Sequence, residues 1–298
     1  MKHIFDFRNY DLTLACEIDA RHGISGHIFE LIEYFYYFKF WHNVNCNIFI
    51  PFEFDINNFK KCLEKYSFTE QEIQTILEST TIAVKPNITL MNTAVFVDGA
   101  VGYQYCNGLI RAKRKILIRC NEDRDLTKGD VVLQDSRLYG DLPNSVHYVK
   151  KLLFDKFKKV PECPTDTALI YATTNCRGLS FEYLNHLKQK YKNINDFVII
   201  SNEDLKIPDK FRFEKVPVDN IFSKFNRYIY TQITSFKCTV VDCSPRFVAE
   251  CKYFNREVLY DIPYFYRGLN VRKFDIDNHF EKLFLTKSDP IINYIWYL

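Results

Sequence analysis

Ala168-Leu-Ile-Tyr-Ala172, then Thr173-Thr-Asn-Cys-Arg-Gly-Leu-Ser180, then Phe181 to Tyr191 and Asp196-Phe-Val-Ile-Ile200 form one continuous pattern. The outer segments are short apolar runs of the kind buried on both faces of a parallel sheet, and the segment between them has helical spacing. Together they predict a βαβ unit, the opening of a doubly wound domain. Its first loop carries Arg177 and Gly178 but no G-x-G-x-x-G, which disfavours a dinucleotide redox cofactor. Upstream, Lys158-Lys-Val-Pro-Glu-Cys-Pro-Thr165 combines two prolines with charges and marks a linker. The expected organisation is therefore two domains, 1–160 and 161–298, with the C-terminal tail packing back on the first.

The first domain shows the same alternation. Ile4-Phe-Asp-Phe and Leu12 to Asp19 read as one or two strands, and the glycine-containing loop Asp19 to His27 leads into a helix from Gly26 to about Phe40. That helix carries Ile28, Leu31, Ile32, Phe35 and Phe38 at helical spacing and is apolar nearly all round, which predicts burial. Asn47 to Pro51 reads as a strand, 56–66 and 69–79 as helices, and Thr81 to Val84, Ala94 to Asp98, Lys115 to Arg119 and Asp130 to Gln134 as further strands. Val146 to Phe157 reads as a helix. The fold class expected is α/β, with two doubly wound, Rossmann-like domains facing across a cleft.

Beyond the second βαβ unit, Phe225 to Thr231 and Cys238 to Asp242 read as strands, and Glu257 to Asp261 as another. Between them, Ser244 has N-cap chemistry and Pro245 suits the first helical position, where its missing N–H would be unpaired anyway. Phe247, Val248, Cys251 and Phe254 form a buried stripe, while Arg246 and Glu250 lie one turn apart on another face. A helix opening on free N–H groups beside an arginine suits a phosphate, and Glu250 suits a sugar hydroxyl. The same residues also fit an ordinary capped helix with an Arg246–Glu250 pair, and the local sequence leaves both readings open. A last helix is expected around His279 to Phe284.

Of the 298 residues 47% are hydrophobic and 16% aromatic, which excludes a disordered chain. A net charge of +3 does not by itself argue for nucleic acid, although Arg111, Lys113, Arg114, Lys115 and Arg119 place five bases in a stretch without an acid. That run suits DNA backbone contacts, and equally a strand edge protected by charge. The ten cysteines are scattered without a C-x-x-C and read as reduced residues of a cytosolic protein, and no metal-ligand set stands out. No signal pattern opens the chain, and no apolar run approaches the ~20 residues of a membrane helix.

Asp242-Cys-Ser-Pro-Arg-Phe-Val-Ala-Glu250 and Thr174-Asn-Cys-Arg-Gly178 resemble donor-site elements of GT-B glycosyltransferases. Tyr228-Ile-Tyr-Thr231, followed by Asp242 to Phe247 and Glu250-Cys-Lys-Tyr-Phe254, is similar more narrowly to glycosyltransferase-like proteins of large T-even-like bacteriophages. The resemblance implies a viral enzyme that uses a nucleotide sugar, a UDP-sugar being expected, and that modifies hydroxymethylated bases in DNA without an obligatory metal. It implies that Arg177 and Arg246 bind the diphosphate, Ser244 caps it and Glu250 holds the ribose, with Gly178, Tyr230, Thr231 and Pro245 beside them. No long glycine-rich donor loop is present, and the usual glutamate pair is reduced to Glu250. On the acceptor side the loop carries Arg21 and Gly23, and Asp19 and His22 are the base candidates. Asp98 and Asp135 at later strand ends are rivals, and Arg111 and Arg114 are the DNA contacts. Asp19 as a helix-entry cap and His22 as a loop histidine remain alternatives. Two other functions stay open at this point: a GT-B enzyme acting on a glycan or small molecule, and a non-catalytic nucleotide-sugar or nucleic-acid binding protein.

Overall fold

The computed structural model describes residues 4–15, 26–51, 53–64, 67–83, 88–97, 110–119, 131–134, 145–147, 156, 167–171, 181–201, 212–215, 232–233, 258–259, 264–266, 269–271 and 287–296. The chain divides into two compact units, Met1–Phe157 together with Leu283–Leu298, and Lys158–Lys282. The first unit contains β1 (Ile4–Asp6), β2 (Leu12–Ala15), α1 (Gly26–Tyr36), β3 (Cys46–Ile50), α2 (Ile56–Leu63), α3 (Glu70–Glu78), β4 (Thr80–Ile82), β5 (Ile88–Val97), β6 (Ile110–Arg119), β7 (Val131–Gln134) and β8 (Ser145–His147). The second contains β9 (Thr167–Tyr171), α4 (Phe181–Lys190), β10 (Asp196–Ser201), β11 (Arg212–Lys215), β12 (Gln232–Ile233), β13 (Val258–Leu259), β14 (Tyr264–Tyr266) and β15 (Leu269–Val271). The last helix, α5 (Ile291–Trp296), belongs to the first unit.

In the first unit the strand order is β4-β3-β2-β5-β6-β7-β8, with β1 also on β5, and every pairing is parallel. The chain winds outward from β2 to β3 and β4, then returns past β2 to lay down β5, β6, β7 and β8 on the other side. This is the doubly wound, Rossmann-like arrangement, and its direction reverses between β2 and β5. Composition explains the centre: all residues of β2 and β3 are buried, and β5 is buried continuously from Thr93 to Val97. Only strands covered on both faces tolerate such unbroken apolar runs. One polar rung crosses this region, where buried Thr13 Oγ1 donates to Asn47 Oδ1 at 2.7 Å from directly opposite positions of β2 and β3.

β1 and β2 share one edge of β5, pairing with Ile88–Leu90 and Thr93–Phe96 respectively. Residues 7–11 leave the ladder between them. Asn92 closes the gap, its Nδ2 donating to the carbonyls of Arg8 (2.7 Å) and Tyr10 (2.9 Å). Phe7 turns inward there, its ring 5.2 Å from that of Phe49.

α1 lies over β2, β3 and β5. From Glu30 to Phe38 every side chain is buried, as an all-round apolar helix requires. At Tyr37 the helix widens into a π turn that runs to Trp41. The chain then reverses through Asn43, whose φ of 51° is left-handed, a conformation asparagine tolerates better than most residues other than glycine. The widened turn packs Tyr36, Tyr37, Phe40 and Trp41 into one aromatic cluster.

Thr69 and Glu72 form a capping box at the start of α3. Glu72 has two further partners. The Tyr36 hydroxyl donates to its Oε1, and Lys156 Nζ donates to Oε1 at 2.8 Å and Oε2 at 3.1 Å. Lys156 also sits 4.7 Å over the Tyr36 ring. Burial pushes the Glu72 carboxyl up, and the bonds from Lys156, Tyr36 and Thr69 outweigh it and leave it below its ordinary value. Burial and then the Glu72 bond raise the Tyr36 hydroxyl to about 12, so it remains a donor at neutral pH.

The second unit holds β11-β10-β9 in parallel register, with α4 as the crossover from β9 to β10 and Leu187 as its buried anchor. β12 lies alongside β9 and pairs in parallel with β13, and β14 and β15 form an antiparallel pair.

Several expectations change. The division falls after Phe157, and α5 occupies part of what read as an aromatic tail. The helix expected from Val146 begins instead as β8, because the edge of β7 offers Ser145–His147 a parallel ladder that local spacing does not reveal. β6 starts at Ile110, not Lys115, so the basic run is a strand. Among the described residues β7 pairs only with Ile116–Arg119 of β6 and leaves the first half of β6 without a second partner strand, at an edge where charged residues are tolerated. The strands expected over Phe225 to Thr231 and Cys238 to Asp242, and the helices expected around Ser244 to Phe254 and His279 to Phe284, lie outside the described residues.

Replacing Lys156 by Met keeps its stem and removes the ammonium, and should cost about 1–3 kcal/mol in chemical denaturation at pH 7. Because the carboxyl of Glu72 sits below its ordinary value of 4.5 in the fold, the gap between wild type and Lys156→Met should be full above that value and close as pH falls through the lowered one. A gap that stayed constant down to strongly acidic pH would remove Glu72 as the partner.

Candidate functional site

Open parallel sheets bind ligands outside the carboxyl ends of their strands where the winding reverses, because neighbouring connections leave on opposite faces and open a crevice. In the first unit that place is between Ala15, the end of β2, and Val97, the end of β5. The segment after β2 runs through 16–25 before α1 begins at Gly26. Asp19, Arg21, His22 and Gly23 belong to that segment, and all four lie outside the described residues. Asp98 is the next residue after Val97, and Asp135 the next after Gln134 of β7; both also lie outside the described residues. Topology thus brings to one edge of one sheet the three strand ends that precede the acceptor-side candidates.

Two carboxylates that sequence reasoning passed over lie buried in α1, the helix that follows β2. Glu30 and Glu33 of α1 are 5% and 4% exposed. Burial of a carboxylate is costly unless partners compensate it, so these acids belong to the internal framework of the helix that follows the reversal point. The signal was present: a helix apolar nearly all round has no solvent face left for its acids.

In the second unit the loop between β9 and α4 spans 172–180. Arg177 and Gly178 fall in it and lie outside the described residues; Ser244, Pro245, Arg246 and Glu250, between β12 and β13 in the chain, lie outside them too. Tyr230 and Thr231 directly precede β12 and lie outside the described residues too.

The two remaining candidates are described, and they differ. Arg111 is exposed, as is Lys113. Arg114 is half-buried, and its Nη1 donates to the backbone carbonyl of Ile295 in the last turn of α5. Helix C-termini leave carbonyls without intrahelical partners, and an arginine there satisfies one while opposing the helix dipole. Both arginines sit in the amino-terminal half of β6, with Arg111 roughly 26 Å along the strand from its carboxyl end at ~3.3 Å per residue.

The chain matches no protein-family model and no curated protein. Among the described residues no group of three or more His, Cys, Asp or Glu is placed to hold a metal ion, and no helix is long and apolar enough to cross a membrane. Cys46 is buried in β3, and desolvation pushes its thiol up to about 12, which leaves it unreactive.

The contrast between the two arginines is measurable. Arg114→Ala leaves the Ile295 carbonyl without its donor and should cost about 1–3 kcal/mol of stability, whereas Arg111→Ala should stay within about 0.5 kcal/mol. Denaturant midpoints of the two variants decide this, and equal effects would contradict the assignment.

Proposed function

We propose that this chain is a nucleotide-sugar-dependent glycosyltransferase of the GT-B type, with the donor held by the second unit and the acceptor by the first. The observation that carries the reading is the presence in one chain of two α/β units with parallel sheets, the first with a reversal point flanked by an acid- and histidine-bearing segment. On the donor side Arg177 and Arg246 neutralise the diphosphate together with helix N–H groups, Ser244 caps it and Glu250 takes the ribose hydroxyls. That arrangement serves a UDP-sugar without a divalent ion.

In an inverting transfer the acceptor hydroxyl oxygen bonds to the anomeric carbon as the bond from that carbon to the diphosphate oxygen breaks. The hydroxyl proton passes to Asp19 or His22, and the leaving diphosphate carries its added charge into the arginines. The acceptor favoured is the hydroxymethyl group of a modified pyrimidine in DNA, flipped out of its stack to reach the site. Exposed Arg111 and Lys113, at the amino-terminal end of β6, serve in this reading as sequence-independent contacts to DNA backbone away from the flipped base.

Incubation with a panel of nucleotide sugars and hydroxymethylcytosine DNA should release nucleoside diphosphate and add one sugar mass to the base. Diphosphate release without base modification would redirect the acceptor to a glycan or small molecule, and binding without turnover would make the protein a binding module. Arg177→Ala and Arg246→Ala should each weaken nucleoside diphosphate binding by about 1.5–3 kcal/mol, measured calorimetrically. Asp19→Asn and His22→Ala should lower turnover with donor affinity intact, and if neither does, the base falls to Asp98 or Asp135.

A further inference from the structure

Residues 287–296 belong to the first unit, yet Lys158–Lys282 of the second unit separate them in sequence from the rest of it. The segment is amphipathic: Asp289, Ile291 and Ile295 are buried, whereas Lys287, Ser288, Pro290, Asn293 and Trp296 are exposed. Its helix, α5, has six residues. Isolated helices shorter than about 12–15 residues are marginal in water, so α5 depends for its helical form on what holds it.

Side chains at three levels hold it. His42 Nε2 bonds the Lys287 carbonyl at 3.1 Å. The Tyr37 hydroxyl donates to the Asp289 carbonyl and accepts from Ile292 N–H at 3.3 Å. Burial raises that hydroxyl to about 12 against the opposing effect of the Ile292 bond, so it stays a donor at neutral pH. In the last turn Arg114 Nη1 takes the Ile295 carbonyl. Tyr37 and His42 come from the π turn and its end, and Arg114 from β6, so the seat spans two elements far apart in the chain.

We propose that Tyr37, His42 and Arg114 form a docking site for residues 287–296, and that this segment works as a latch. Seated, it is a helix and ties the end of α1 to β6; unseated, it is unfolded and the tie is lost. The dependence runs both ways. Without the segment the hydroxyl of fully buried Tyr37 loses both partners, Arg114 loses its carbonyl, and the surface that covers Ile291 and Ile295 opens to water, all of which disfavour an empty seat. The seat is selective as well, because it takes two isoleucines one turn apart between the carbonyls of 289 and 295. The proposal rests on the first unit alone and stands apart from the reaction proposed above.

For the test, a specific protease site is inserted between Leu285 and Thr286 of the full chain, and the purified protein is cleaved there, so that only its contacts keep 287–296 seated. A labelled synthetic peptide of residues 287–296 should then exchange into the seat and saturate it, and a peptide carrying Ile291→Ala and Ile295→Ala should bind roughly tenfold more weakly or worse. Tyr37→Phe in the cleaved protein should weaken the native peptide roughly tenfold, the scale of one buried hydrogen bond. In the uncleaved chain the same variant should speed amide exchange at 289–296 and also at 110–115 of β6, to which Tyr37 makes no hydrogen bond among the described residues. Absence of saturable binding, equal binding of the two peptides, or exchange that rises at 289–296 alone would overturn the latch. A cleaved protein that runs as a dimer would assign the seat to a second copy's segment and overturn it as well. Should the cleaved protein not stay folded, Tyr37→Phe in the uncleaved chain decides alone.

Discussion

β5 is the strand on which the first unit depends. A buried strand has to find a partner for every N–H and C=O along its length, and β5 does so with β1 and β2 on one side and β6 on the other. To supply those partners the chain returns from β4 past β2, and the reversal of winding between β2 and β5 is a direct result of that path. The reversal point at the carboxyl edge therefore follows from satisfying backbone hydrogen bonds in a buried sheet. Where the partner strand breaks between β1 and β2, Asn92 supplies the missing donor from its side chain.

The same rule governs the polar groups that join distant parts of the chain. Thr13 and Asn47 pair inside the sheet, Glu72 collects Lys156 and Tyr36 around a helix cap, and Tyr37 and Arg114 each take a carbonyl of the segment around α5. Each pairing is specific because the alternative is an unsatisfied group away from water, which costs more than the bond itself contributes. Apolar packing of α1 over β2, β3 and β5 supplies bulk stabilisation, and these bonds decide which segment goes where. The basic run on β6 shows the division of labour within one strand: Arg114 is committed to α5, and Arg111 and Lys113 remain at the surface.

Much of the fold was legible in the sequence. β3 and β10 announce themselves as apolar runs bounded by polar residues, and α1 as an apolar helix, because burial selects residue type position by position. β6 and β8 were less legible. The part of β6 ahead of Ile116 carries four basic residues that a central strand would exclude, and among the described residues its place beyond the end of β7 makes them tolerable. Ser145–His147 has too few residues for periodicity to distinguish strand from helix, and the open edge of β7 settled it. The candidates that follow strand ends, Asp19, Asp98 and Asp135, take their positions in the chain from the βαβ pattern, whereas the burial of Glu30 and Glu33 was not read because attention to apolar spacing passes over acids on the same helix.

By itself the sequence determined element type and the α/β alternation, since helix and strand periods are local properties of side-chain spacing. It also supplied the candidate site residues, the acids, arginines and histidine that interrupt otherwise apolar stretches. Strand order was decided only by the tertiary structure, as were the reversal between β2 and β5, the capture of Lys156 by Glu72 and the docking of α5 on Tyr37 and Arg114. Those features join residues far apart in the chain. Their energies come from hydrogen bonds and burial that exist only once both partners are in place, and no local pattern encodes them.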